Sequence, residues 1–115
     1  MRYAVAMTLG VMAALATGAL PPAARADDLI ITVTIKDHKI TPEFIKVPAG
    51  QPFTLIVTNG DKAPEEFECN TPQKIEELMI SLGSAKVNVG PLEAGHYECM
   101  GEFHQDTAGA MIIVK

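Results

Sequence analysis

The chain has 115 residues, with 14 acidic and 9 basic side chains and a formal net charge of −5. That length holds one domain and leaves no room for an enzyme with a separate cofactor lobe. The acidic balance repels phosphate backbones and anionic lipid, which argues against a nucleic-acid partner and for a cationic partner or a metal ion.

Residues 1–26 read as a targeting segment. Arg2 is followed by the apolar run Tyr3–Leu20, the pair Pro21-Pro22, and Ala24-Arg25-Ala26, which has the small-x-small form that signal peptidase accepts. The run is long enough to span a bilayer, but the proline break and the small-residue site follow it at the distance expected for cleavage. The expectation is a cleaved signal peptide over 1–26 and a single domain over 27–115. The mature domain is then exported to a periplasm, where thiols oxidise, with no direct membrane insertion after cleavage. Loss of Arg2 and Arg25 leaves 7 basic and 14 acidic side chains.

The remainder is punctuated into short β-rich runs. Leu29–Lys36 alternates, with Ile31, Val33 and Ile35 on one face; Phe44–Val47 and Phe53–Thr58 follow, the second closed by the turn Asn59-Gly60-Asp61. Glu65–Cys69, Ala85–Val89, Gly95–Met100 and Ala110–Val114 complete the pattern. Residues 73–82 suit either a helical face through Ile75, Leu78, Met79 and Leu82 or a strand through Ile75, Glu77 and Met79. The whole predicts an all-β sandwich of seven to eight strands. With four Phe, two Tyr and no Trp, its core rests mainly on aliphatic side chains.

Several groups can carry chemistry. In Pro64–Cys69, strand alternation puts Glu65, Phe67 and Cys69 on one face and Glu66 and Glu68 on the other. If Phe67 marks the core side, Glu65 sits at the strand's mouth; an acidic edge strand that resists pairing is the plainer reading. Where Cys99-Met100 runs into Gly101-Glu102-Phe103-His104, a carboxylate and an imidazole lie close together at a strand end, a common start for a transition-metal site. His38 follows Asp37 in the turn after the first strand, and His96 reads as ordinary surface. Cys69 and Cys99 allow a disulfide, two buried thiols, or a Cys99 thiolate ligand. No Gly-x-Ser-x-Gly, Cys-x-x-Cys or phosphate-binding glycine loop occurs, so no residue is assigned as catalytic.

The order of Thr41–Gly50, Asn59-Gly60-Asp61, Pro64–Glu68 and Gly101–His104 resembles the cupredoxin superfamily over nearly all of residues 29–115. Within it, Glu-Glu-Phe-Glu and Gly-Glu-Phe-His are most similar to small periplasmic cupredoxin-like proteins of bacterial iron uptake. The resemblance implies a cupredoxin-like Greek-key sandwich with a site between the loop before the fourth strand and the loop after the seventh. Of the His, Cys, His and Met that hold blue copper, the first His falls at or beside Glu65, the Cys near Gly101 and the second His at His104; only His104 keeps its residue type.

The implied ligand set is Glu65 or Glu66 with Glu102 and His104, His38 reaching over from the first turn. It would hold one copper or iron ion per chain. Oxygen and nitrogen donors suit Cu(II) and iron, and crowded carboxylates give a reason for affinity to rise with pH. The function implied is ferrous iron capture or oxidation and delivery to an iron permease or another periplasmic or inner-membrane iron-uptake component, with binding and delivery preferred over turnover. The rivals are a copper-handling or electron-transfer cupredoxin and a disulfide-stapled interaction module without metal.

Overall fold

A computed structural model describes residue 18 and residues 29–115; the signal-peptide reading of 1–26 falls outside the described residues apart from Gly18. Nine strands form: β1 (Ile30–Lys36), β2 (Lys39–Thr41), β3 (Phe44–Val47), β4 (Phe53–Asn59), β5 (Glu65–Cys69), β6 (Ile75–Met79), β7 (Ser84–Val89), β8 (Gly95–Gly101) and β9 (Gly109–Val114). A single 3₁₀ turn, Glu102–His104, follows β8. Among the described residues no helix is long and apolar enough to cross a membrane.

The strands make two sheets, ordered β2-β1-β4-β7 and β3-β9-β8-β5-β6. Two pairings are parallel, β1 with β4 and β3 with β9; the others are antiparallel. Parallel neighbours need a crossover. The chain supplies it by moving from one sheet to the other, and this sends loops to both ends of the sandwich.

The core lies between the sheets, and the period-two alternation dictates it. Val33 and Ile35 of β1, Phe53, Leu55 and Val57 of β4, Phe67 of β5 and Ile112 of β9 are fully buried. Residues between them face out, as in Glu66 and Glu68 beside Phe67. Burying this apolar surface, at about 25 cal/mol per Å², is the main stabilising term.

The sandwich architecture expected from the sequence is present, but the strand count is nine rather than seven to eight. Residues 75–79 form an edge strand, because β5 offers a free edge and Ile75 and Met79 then both point into the core. The strand missing from the sequence reading is β2, three residues that exist only as the return arm of a hairpin on β1. Its two-residue turn is Asp37-His38, both with positive φ, 51° and 57°. That is the twist a tight hairpin demands of its central residues.

Cys69 and Cys99 stand directly opposite each other on β5 and β8 and form a disulfide. It closes a loop of sequence separation 30. On the chain-entropy account such a closure contributes about 3–4 kcal/mol. Of the alternatives left open by the sequence, buried thiols and a Cys99 thiolate ligand are therefore set aside: neither sulfur is free.

Candidate metal centre

Glu65 opens β5 on the inward rung, in line with Phe67 and Cys69, so its carboxylate is drawn into the end of the sandwich and is 1% exposed. A buried carboxylate requires hydrogen bonds or a counter-charge. Glu65 has the hydrogen bonds: Oε1 accepts from the backbone N–H of Phe103 at 2.9 Å and of Glu66 at 3.1 Å, and Oε2 meets His104 Nδ1 at 2.5 Å. The contact at Nδ1 orients the imidazole ring. The His104 side chain is 25% exposed, so the pair reaches from the interior to the surface.

Gly101 makes the pocket for that carboxylate. A Cβ at position 101 would stand 2.7 Å from Glu65 Cδ and 2.8 Å from Ala108 Cβ, closer than real contacts allow. The next residues turn at once: His104 O accepts from the N–H of Thr107 and of Ala108, and Gly101 N–H bonds Ala108 O. This tight return lays His104 back over Glu65.

His38 arrives from the other sheet. Its ring stacks on that of His104, centroids 3.6 Å apart and planes 15° from parallel. Asp61 fixes the turn that carries it, accepting the N–H of Asp37 at 2.8 Å and of His38 at 2.9 Å. These bonds, the His38 one foremost, hold the Asp61 carboxyl below the usual carboxylate range against an opposing effect of burial, with Lys36 assisting. Asp61 N–H in turn donates to Asn59 Oδ1, and buried Asn59 donates to Ala63 O and Ile80 O.

Of the five residues predicted for the site, the fold thus gathers Glu65, His104 and His38. Glu66 lies on the opposite rung of β5, on the outer face of the five-stranded sheet. There the carboxylates of Glu66, Glu68 and Glu76 lie within 4.8 Å of one another, with the Glu102 charge acting on Glu66. A hydrogen bond shared with Glu68, then burial, then the charges of Glu68, Glu76 and Glu102 push the Glu66 carboxyl above its usual value. Adjacency in sequence suggested one set; alternation along β5 divides it into two. His96 is exposed on the outer face of β8. The sequence reading passed over Asp61 and Asn59, whose Asn-Gly-Asp signal marks a turn and also suits side chains that bond nearby backbone.

A cupredoxin-like domain model matches residues 5–114. The chain belongs to the cupredoxin-like domain family. An uncharacterized protein of Rickettsia prowazekii (strain Madrid E) is 40% identical over 87 residues, which is 76% of this chain and 69% of that protein. Among solved structures the cupredoxin-like sandwich is similar to auracyanin A, a "blue" copper protein from Chloroflexus aurantiacus, with a TM-score of 0.66 and 14% identity over 76% of this chain and 98% of that one. It is also similar to amicyanin from Paracoccus versutus, with a TM-score of 0.58 and 22% identity over 83% and 92% of the two chains. Likeness at such identities speaks for the fold.

Blue copper needs a thiolate among its ligands. In this cupredoxin-like chain the only two cysteines are joined in the core, and the space beside Gly101 is filled by the Glu65 carboxylate. The residues present therefore do not fit a blue-copper centre. The oxygen and nitrogen donors present at this end are one carboxylate and two imidazoles.

Proposed function

We propose that the chain is an exported metal-binding protein that takes one copper or iron ion at the Glu65–His104 end and assists ferrous iron capture and delivery to an iron permease. The observation that carries this reading is the buried carboxylate held on a partly exposed imidazole at the loop end of a cupredoxin-like sandwich. Glu65 and His104 are the residues that would hold the ion. His38 supplies a second imidazole, packed face to face on the first. A bound ion would supply a redox-active, Lewis-acidic centre.

Before an ion enters, Glu65 keeps a proton at His104 Nδ1, fixes the ring and satisfies two backbone N–H groups. Metal binding releases ligand protons, so affinity is expected to rise with pH. Oxidation of Fe(II) needs an electron acceptor, and a single mononuclear site does not itself supply one. Delivery is therefore preferred to ferroxidase turnover.

The test is metal stoichiometry on residues 27–115, with Cu(II) and, without oxygen, Fe(II), each followed by desalting and elemental analysis. About one ion per chain, lost in His104→Ala, is expected. No retained ion, or retention unchanged in His104→Ala, rejects the site. An Fe(II) oxidation rate no faster than buffer, after admission of oxygen, is the outcome expected for a delivery protein.

A further inference from the structure

Among the described residues the His38 ring makes no hydrogen bond that explains its place on His104; the explanation is in the backbone beneath it. Asp37 and His38 both sit in the left-handed region, φ 51° and 57°, which non-glycine residues seldom adopt without support. The turn holds because both of its N–H groups point at the two oxygens of one carboxylate, Asp37 N–H at Oδ1 and His38 N–H at Oδ2. That carboxylate belongs to Asp61, in the loop after β4, and its own backbone is tied on two sides. Its N–H bonds Asn59 Oδ1, and its carbonyl accepts from Leu82 N–H at 3.0 Å. Gly60 N–H also bonds Ile35 O at 2.7 Å, which locks the loop to the end of β1.

We infer that Asp61 is a positioning residue of the metal centre: by gripping the β1–β2 turn it holds His38 against the face of His104 and so fixes the His104 ring. Two contacts converge on that ring, Glu65 at its edge through Nδ1 and His38 across its face. Without the face contact, the imidazole keeps its partner but gains freedom to swing about the Nδ1 bond. Outer-shell partners that orient a ligating histidine typically contribute 10–100-fold to metal affinity. The inference about metal rests on the proposed function; the inference about the ring does not.

The experiment therefore has a metal-free arm and a metal arm, both on the folded 27–115 chain. In the first, proton NMR follows the imidazole protons of His38 and His104, which ring stacking moves upfield. Asp61→Asn keeps the side-chain shape but offers an amide N–H₂ to one of the two backbone donors; Asp61→Ala offers nothing. The stacking shifts should shrink in Asp61→Asn and vanish in Asp61→Ala. Asp37→Gly, which removes the steric cost of positive φ at that position, should partly restore them in the Asp61→Ala background. In the second arm Cu(II) affinity is measured for His38→Ala, Asp61→Asn and the double variant. Each single change should weaken binding by about 10–100-fold, and the double no more than His38→Ala alone, since residues acting through one another are not additive. A folded Asp61→Asn with unchanged ring shifts, or losses that add in the double variant, overturns the inference. If the parent chain retains no Cu(II) yet the ring shifts respond as expected, the proposed function fails and the positioning role stands.

Discussion

At the scale of single residues, Glu65 is the group whose neighbours depend on it most. Three groups converge on its carboxylate, and two of them are the backbone N–H groups of Glu66 and Phe103. Glu65→Ala should lower the unfolding free energy by about 2–4 kcal/mol, the cost of leaving partly buried donors unpaired. Glu65→Gln keeps an oxygen for those N–H groups and should cost about 1 kcal/mol; urea titrations of both variants give the comparison. Asp61 makes the pH dependence specific. Its folded carboxyl titrates below the ordinary carboxylate range, so the unfolded chain binds the proton more readily. The stability it contributes is present above the unfolded value and is lost as pH falls through the carboxylate range toward the lowered folded one. Asp61→Asn should therefore flatten the acid limb of the stability curve and leave its slope above pH 6 unchanged.

At the scale of elements, most strands were legible because their alternation is clean and Gly or Pro closes them. Segment 73–82 was not, since Ile75, Leu78 and Met79 satisfy two periods at once; only the free edge of β5 selects the strand. β2 carries three residues and too little pattern to show any period. The same division holds at the site. Glu65 pointing inward followed from Phe67 on the same face, whereas the meeting of His38 and His104 depends on β1 and β8 lying in opposite sheets, which no local pattern encodes. The opposed pair Cys69 and Cys99 is likewise a matter of register between β5 and β8. Both sulfurs are buried, so free-thiol titration of the native chain should find none, and reductant should act only after unfolding. Cys69→Ala/Cys99→Ala should unfold about 3–4 kcal/mol more easily.

At the scale of the whole molecule, charge is distributed unevenly. The outer face of β5 and β6 carries Glu66, Glu68 and Glu76, answered locally by Lys74, whose ammonium lies 2.6 Å from Glu76 and is held charged by it. The Glu66 carboxyl, raised by its bond to Glu68, binds its proton more readily folded than unfolded. This face therefore destabilises the fold as pH rises through and above the carboxylate range. Glu68→Gln should raise the melting temperature at pH 7, and the gain should shrink in 1 M salt, where the screening length is about 3 Å. Equal gains at low and high salt would remove repulsion as the cause. Exposed Leu78 interrupts this acidic face, and exposed Ile80, Leu82 and Phe103 lie on loops that Asn59, Asp61 and Glu65 tie down.

The cavity beside Gly101 also constrains how such a chain can change by mutation. A side chain at 101 and a carboxylate at 65 compete for one volume, so their substitutions cannot be accepted independently. Gly101→Ala alone should collide with Glu65, while Glu65→Ser alone should leave a void; together, each should repair part of the other's damage. Unfolding free energies of the four proteins would show this as epistasis, with Gly101→Ala less harmful in the Glu65→Ser background, where only the contact with Ala108 remains. A lineage that exchanges a carboxylate at one wall for a thiolate at the other must then cross a stability valley or change both positions nearly at once. That barrier would keep chains with a carboxylate at 65 apart from chains with a side chain at 101 even where their backbones superimpose.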